Sequence, residues 1–432
     1  MKNDIRKQIR EFQELKKSMA GSARHLIVAV DVSKRSHQAL LMDGRRKVLR
    51  KLSFGQNWEG FHRMSQIAET IRAERGMEKI VVGMEPTAGY WKPLARFCEL
   101  LRRETGVWEV VTVRTAATAA NRRTLDSCPD KNDCKDAYNI GDLVTQGKCH
   151  RCRRRSIHGE VLCRLLRLYY RERTKAGTLK TRLRQVYGEI FPELELRGTQ
   201  LFSLRWRRVL KEYPTARELW ELGERLGRLL CVYGRRGHFV AEGTQVVELA
   251  KQTVGVEEGD EGVRLELQWL WEELECAEER LEELRERMAA HLQPRRDYWL
   301  LQTIPGVGPI LAAGFAAEIG AIGNFGNCKE LVSFAGLDVI GRQSGNWQGE
   351  RRMISKCGRK YLRTVAYQAA LTAVRCDGEF RQCYERALAR QGERKLRRKA
   401  LVKVADKMLR VVYGVLRSGQ VYRHKPKEEQ AA

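Results

Sequence analysis

Residues 26–32 read LIVAVDV, five apolar residues without a break, then one aspartate and a valine. A strand with one face in water alternates apolar and polar residues. An unbroken run rich in β-branched side chains therefore predicts a central strand covered on both faces. Helices supply such cover, so the chain is expected to contain a mixed sheet flanked by helices. The same run makes Asp31 conspicuous, because a carboxylate among Val and Ala is costly unless it has a task.

The residues that follow extend this sheet. Two further strands are expected at 37–43 and 46–53, around the turn residues Asp43 and Gly44, as a meander. Helical spacing through Trp58, Phe61, Met64, Ile67 and Ile71 predicts a helix over 57–75. KIVVGM at 79–84 reads as a strand, 89–103 as a helix, 108–113 as a strand and 133–146 as a helix. The order βββαβαβα is that of the ribonuclease H-like fold.

Beyond this domain the chain reads as helical. Leu162, Leu165, Leu166, Tyr169, Leu179, Leu183 and Val186 form an apolar stripe beside a run of Arg and Lys. Residues 196–255 follow no single period. Leu267, Leu270, Leu274, Ala277, Leu281, Leu284 and Met288 then recur at alternating spacings of three and four, a heptad seam that Pro294 ends. It predicts an antiparallel coiled coil within the chain or a dimer contact. Small residues and glycines begin at Tyr298. The expected division is a charged extension (1–24), an α/β domain (25–155), a helical coiled-coil region (156–297), a mainly helical domain (298–376) and a basic tail (377–432).

Four carboxylates stand where chemistry is expected. Asp31 lies in the first strand, Glu85 directly follows the fourth in MEPTAGYW, and Asp133 and Asp136 share one helix face in KNDCKDA. In a ribonuclease H-like sheet the first and fourth strands are neighbours and the last helix packs across them. The four acids would then converge and suit two hard cations, of which Mg²⁺ is the usual one. Taken singly, Asp31 could be a misjudged surface residue, and Asp133 and Asp136 could simply favour a helix N-terminus. Cys149-x-x-Cys152 has zinc-knuckle spacing, with His150 between, but Cys128 and Cys134 do not; free thiols are the simpler expectation.

In the C-terminal domain TIPGVGPILAAGFAAEIG, from Thr303 to Gly320, has a helix-hairpin-helix pattern. Gly306 and Gly308 would let backbone N–H groups approach a phosphate at a helix N-terminus. A tight helix–helix turn without a ligand would leave the same pattern. Ser344, in a polar loop flanked by glycine, and Ser355, in ISKCG, are both candidate nucleophiles that local chemistry does not rank. Arg359, Lys360 and Arg363 read as phosphate contacts or as a solvated basic face.

Charge points to the partner. Lys and Arg number 81 against 54 Asp and Glu, a formal net charge of +27. Such an excess repels itself unless a polyanion neutralises it, and DNA or RNA gains affinity from each phosphate neutralised. No apolar stretch approaches the ~20 residues of a membrane span. Met1 to Ser18 lacks the apolar centre of a signal peptide, and the twelve cysteines show no framework spacing, so a reducing cytoplasmic location is expected.

DVSK at Asp31, EPTAGYW at Glu85, KNDCKDA, and then IPGVGP, SFAGL, QSG and ISKCGRKYLR together resemble the DEDD transposases of bacterial insertion sequences. These are bridge-RNA-guided recombinases related to Piv-type DNA invertases. The resemblance covers about 25–150 and 298–375, with the motifs in the family's order. It implies a RuvC-like domain binding Mg²⁺ through Asp31, Glu85, Asp133 and Asp136. It also implies a transposase domain whose QSG motif makes Ser344 the nucleophile, assembly as a homodimer or homotetramer, and a structured guide RNA that pairs with element ends and target DNA. Base pairing would then do the sequence reading, as in other guided systems. Asn132 stands where the family has Thr, 196–255 is longer than usual and the basic tail is extra. The rival expectations are a junction-resolving nuclease that uses the same acids with water, and a non-catalytic nucleic-acid binder.

Overall fold

A computed structural model describes residues 2–125, 133–152, 157–195, 201–233, 239–256, 260–340, 343–344, 347–348, 353–391 and 396–423. The chain divides into two compact units, Met1–Arg154 and Arg155–Ala432.

The first unit is a three-layer α/β structure. Its strands are β1 (His25–Asp31), β2 (Ser36–Asp43), β3 (Val48–Gly55), β4 (Lys79–Met84), β5 (Trp108–Thr112) and β6 (His150–Arg151). Its helices are α1 (Lys2–Met19), α2 (Trp58–Glu74), α3 (Trp91–Thr105), α4 (Thr115–Leu125) and α5 (Asp133–Thr145). The strands lie in the order β3-β2-β1-β4-β5-β6. Pairing is antiparallel for β1–β2, β2–β3 and β5–β6, and parallel for β1–β4 and β4–β5.

The unbroken apolar run of β1 is explained by cover on both faces. Leu26, Val28 and Val30 share a core with Ile80 and Val82 of β4, Phe61 and Met64 of α2, and Leu94 and Phe97 of α3. The alternate residues, Ile27 and Ala29, pack with Val81, with Leu15 and Met19 of α1, and with Ala137, Ile140 and Val144 of α5. Each of the larger of these side chains contributes about 1.5–3 kcal/mol on full burial. Gly141 brings α5 close to the sheet, since a Cβ there would stand 2.6 Å from the Met42 side chain and 3.1 Å from the Ala29 Cβ.

The second unit is helical. It runs through α6 (Ile157–Ile190), α7 (Pro192–Glu195), α8 (Leu204–Glu212), α9 (Ala216–Leu222), α10 (Glu224–Tyr233), α11 (Val240–Lys251), α12 (Asp260–Leu292), α13 (Arg296–Gln302) and α14 (Pro309–Ile319). It continues through α15 (Cys328–Ala335), α16 (Lys360–Cys376), α17 (Gly378–Ala389) and α18 (Arg397–Ser418). Between α15 and α16, β7 (Val339–Ile340) pairs with β10 (Met353–Ile354), and β8 (Gln343–Ser344) pairs with β9 (Trp347–Gln348).

The long helices α6 and α12 pack against each other antiparallel. Arg285 lies over the Tyr169 ring, Arg280 faces Glu172, and Arg182 pairs with Glu266, so one number rises as the other falls. The heptad residues Leu267, Leu274, Ala277 and Met288 are buried in a core with Leu166, Leu183 and Tyr187 of α6. Lys175, Lys180 and Arg182, part of the basic run along α6, are engaged by Glu273, Glu278 and Glu266 of α12. The stretch without a period, 196–255, contains α8 to α11, helices of 7 to 12 residues. Two or three turns are too few to print a clear spacing, yet Trp206, Leu210, Leu219, Leu230 and Val246 join the same core. Among the described residues no helix is long and apolar enough to cross a membrane.

Candidate active site

Two of the acids sit at neighbouring strand ends. Val30 of β1 is paired with Met84 of β4 in parallel register, so Asp31 and Glu85 leave the sheet side by side at its carboxyl edge, where open α/β sheets bind ligands. By strand alternation Asp31 continues the row of Ile27 and Ala29, which faces α5. Both acids are half-buried. The loop after Glu85 turns sharply, with Ala88 at φ 48° and Gly89 at φ 100°. Backbone bonds from Thr87 N to Glu85 O and from Gly89 N to Thr87 O hold it. A non-glycine residue in that region is strained, and such strain concentrates at functional loops.

The other two acids lie on α5, which packs on β1, β2 and β4. Asp136 is 9 % exposed. Asp133 begins the helix, and its side chain lies outside the described residues. A helix that the sequence did not announce, α4, reaches both acid pairs. Thr118 Oγ1 donates to Glu85 Oε2 at 2.8 Å, and one turn on Arg122 Nη2 donates to Asp136 Oδ1 at 2.5 Å. Asn121 Nδ2 donates to Asn139 Oδ1 at 2.9 Å and to Asp142 Oδ2 at 2.8 Å, and Asn139 Nδ2 donates to Thr118 O at 2.8 Å. Asp142 is 1 % exposed, and Arg46 Nε stands 2.9 Å from its Oδ1. Helix α4 is thus bolted to α5 by buried polar bonds. Its only sequence signal is Thr118 and Arg122 at i and i+4, which is too common to single out.

The donor set is all carboxylate, which suits a hard divalent cation. Among the described residues, however, no three His, Cys, Asp or Glu side chains stand together closely enough to hold one. The Asp136 carboxylate faces a guanidinium instead. Of the cysteine cluster, Cys149 is buried, and burial pushes its thiol up to about 11. Cys152 is half-buried, and Cys128 and the Cys134 side chain lie outside the described residues.

In the second unit the two hairpin glycines do different things. Gly306 has φ 81°, and a Cβ there would fall 2.5 Å from Ala373 N and 2.8 Å from Ala369 O of α16. Gly308 caps α14, is exposed and has open space around it, with Pro309 at the first helical position. Gly306→Ala is therefore expected to cost about 3 kcal/mol through strain and overpacking. Gly308→Ala is expected to cost less than about 1 kcal/mol. Urea unfolding midpoints check both, and equal losses would contradict the packing argument.

Ser344 lies in β8 opposite Trp347, and its side chain is outside the described residues. Ser355 follows β10; its N–H donates to Asp338 O at 2.8 Å, and its hydroxyl accepts from Cys357 N at 3.3 Å. That hydroxyl is occupied in holding its own turn. Arg359 caps α16, lies over the Phe334 ring and stands 4.0 Å from buried Glu318. Arg363 Nη1 donates to Ala335 O at 2.8 Å, while Lys360 is exposed.

Comparison with known proteins places two segments. Residues 28–192 match a transposase family model of the DEDD type of IS110 elements, and residues 298–385 match the model described as the transposase IS116/IS110/IS902 family. The chain is 27 % identical over 256 residues to the insertion element IS116 uncharacterized 44.8 kDa protein of Streptomyces clavuligerus, covering 59 % of this chain and 63 % of that protein. It is 26 % identical over 315 residues to the insertion element IS110 uncharacterized 43.6 kDa protein of Streptomyces coelicolor, covering 70 % and 75 %. It is 30 % identical over 159 residues to a probable family 20 transposase of Pseudomonas aeruginosa, covering 36 % and 46 %. The matches thus span less than two thirds of the Streptomyces clavuligerus protein and about half of the Pseudomonas one.

Proposed function

Because both its N-terminal and its C-terminal segments match transposases of the IS110 group, we propose that this chain is an insertion-sequence transposase that cuts and rejoins DNA. The observation that carries the reading is where the matches fall. One segment contains Asp31, Glu85, Asp133 and Asp136, and the other contains Ser344, the hairpin glycines and Arg359 to Arg363. The strand order supports a RuvC-like assignment for the first unit, and the net charge of +27 supports a nucleic-acid substrate.

The serine would do the bond-making. Ser344 Oγ attacks the phosphorus of a DNA strand, the Oγ–P bond forms, the P–O3′ bond breaks, and the departing 3′ oxygen takes up the proton. A second 3′-hydroxyl then attacks the phosphoserine, restores the P–O3′ bond and returns the proton to Ser344, so no external energy source is needed. Asp31, Glu85, Asp133 and Asp136 would hold Mg²⁺, which supplies charge neutralisation at the phosphate when bound. Arg359, Lys360 and Arg363 at the start of α16, and separately the open N-terminus of α14 at Gly308, would take backbone phosphates. A structured guide RNA and assembly of two or four copies belong to the same reading: a chain this basic carries no evident base-reading motif, and pairing would supply it.

The test is a trapping assay. Protein, labelled element-end DNA, RNA transcribed from the element's flank and Mg²⁺ are mixed, denatured and run on a gel. Label migrating with the protein supports the serine route, and its loss when the RNA is omitted supports the guide. Free cut ends without any protein–DNA adduct would mean a metal-dependent nuclease that uses water.

A further inference from the structure

Nucleobases stack on flat aromatic faces, and a strand that presents an unpaired base binds best where such a face stands among cations that take its phosphates. Trp58, the first residue of α2, offers that face. It is 71 % exposed, although tryptophan is on average a well-buried side chain. Its ring is supported from one side. The centroid lies 3.9 Å from that of His62, one turn further along α2, and the ring meets Phe97 of α3 edge-on at 6.0 Å. The exposed area belongs to the side away from these two rings.

Trp58 stands at the sheet edge where Asp31 and Glu85 emerge. β3 runs parallel to β1, because each pairs antiparallel with β2, so its end at Gly55 lies on that same edge. Hydrogen bonds tie the three loops of the edge together. Ser33 N donates to Nδ1 of buried His37, whose Nε2 must then carry the proton and donate to Gln56 Oε1. Gln56 Nε2 in turn donates to Tyr90 O at 2.9 Å, and Gln56 N donates to Arg35 O at 2.9 Å. The loops after β1, β3 and β4 are thus held around Gln56, two residues before Trp58. Lys34 and Arg35 in the first of these loops, and Lys92 at the start of α3, are exposed cations; Glu59, beside Trp58, offsets one of the three charges.

We propose that Trp58 stacks on an unpaired base of a DNA strand whose phosphates lie along Lys34, Arg35 and Lys92. Within a duplex both faces of a base are covered by its neighbours, so this surface takes a strand that is open at that point. The inference rests on the reading of the chain as one that acts on DNA, and it deepens that reading by naming where an open strand lies relative to the acids. Stacking is indifferent to base identity, so the surface adds affinity without reading sequence.

The test uses the full chain and a short single-stranded DNA carrying 2-aminopurine, a base whose fluorescence falls when it stacks on an aromatic ring. Wild-type protein should quench the probe. Trp58→Ala should bind it roughly tenfold more weakly and lose most of the quenching even at saturation, whereas Trp58→Phe should stay within about threefold of wild type. Trp58→Leu, which keeps apolar cover on His62 and Phe97 but has no flat face, replaces the Ala variant if that fails to fold. Lys34→Ala combined with Arg35→Ala should lower the salt slope by about 0.7 for each phosphate contact removed and leave quenching at saturation intact. Affinity and quenching unchanged in Trp58→Ala or Trp58→Leu, with DNA still bound, would overturn the stacking proposal alone. A loss confined to an RNA strand of the same sequence would overturn the assignment to DNA. Wild-type protein that binds neither single-stranded nor duplex DNA would instead overturn the DNA reading, and this inference with it.

Discussion

Ser344→Ala is expected to abolish the covalent protein–DNA adduct and to lower strand joining by at least about 10³-fold, with DNA and RNA affinity within about twofold of wild type. No other group in QSG can form the phosphoester, so the loss falls on the chemical step and not on binding. Ser355→Ala is the necessary companion. Its hydroxyl already accepts from Cys357 N, so removing it loosens one turn for about 1 kcal/mol and should leave adduct formation largely intact. If Ser355→Ala proves silent and Ser344→Ala dead, the serine is assigned. The reverse result would move the nucleophile to the second serine. Full joining by Ser344→Ala would remove serine chemistry altogether.

The parts of this molecule that were legible in the sequence are those where one physical requirement acts on many consecutive residues. KIVVGM is a strand at its expected bounds because every residue between Ile80 and Met84 is buried. The heptad of α12 was visible because a single long partner, α6, covers one seam for many turns. Asp31 and Glu85 stood out because each lies at the end of an apolar strand run, and the structure does set them at neighbouring strand ends. Short elements were not visible. Helix α4 has one buried residue, Thr118, and is held by polar bonds to α5 and Glu85, which leave no periodic trace. β6 is two residues long and takes its position from β5. Helix α1 read as a charged extension because, among its described side chains, a narrow stripe of Leu15 and Met19 with Phe12 beside them joins the sheet's core. The division of labour between the two hairpin glycines was likewise beyond a sequence argument, since it depends on α16, more than sixty residues further on.

Asp31→Asn and Glu85→Gln should each lower DNA cleavage by at least about 10³-fold while leaving the fold intact. Both substitutions keep size and hydrogen-bonding shape and remove one charge, so what they delete is affinity for a hard cation. Glu85→Gln can still accept from Thr118 through its carbonyl, so the link to α4 survives and local collapse cannot explain a loss. DNA binding is expected to hold or to strengthen slightly, because a negative charge that opposes the phosphates has gone. That combination, tighter or equal binding with chemistry abolished, separates a cation-holding acid from one that merely supports the fold, which would lose both together. Circular dichroism melts and a salt-controlled binding isotherm alongside the cleavage assay make the distinction. Cleavage within about tenfold of wild type in both variants would mean that the carboxylates at the ends of β1 and β4 do not hold the catalytic metal.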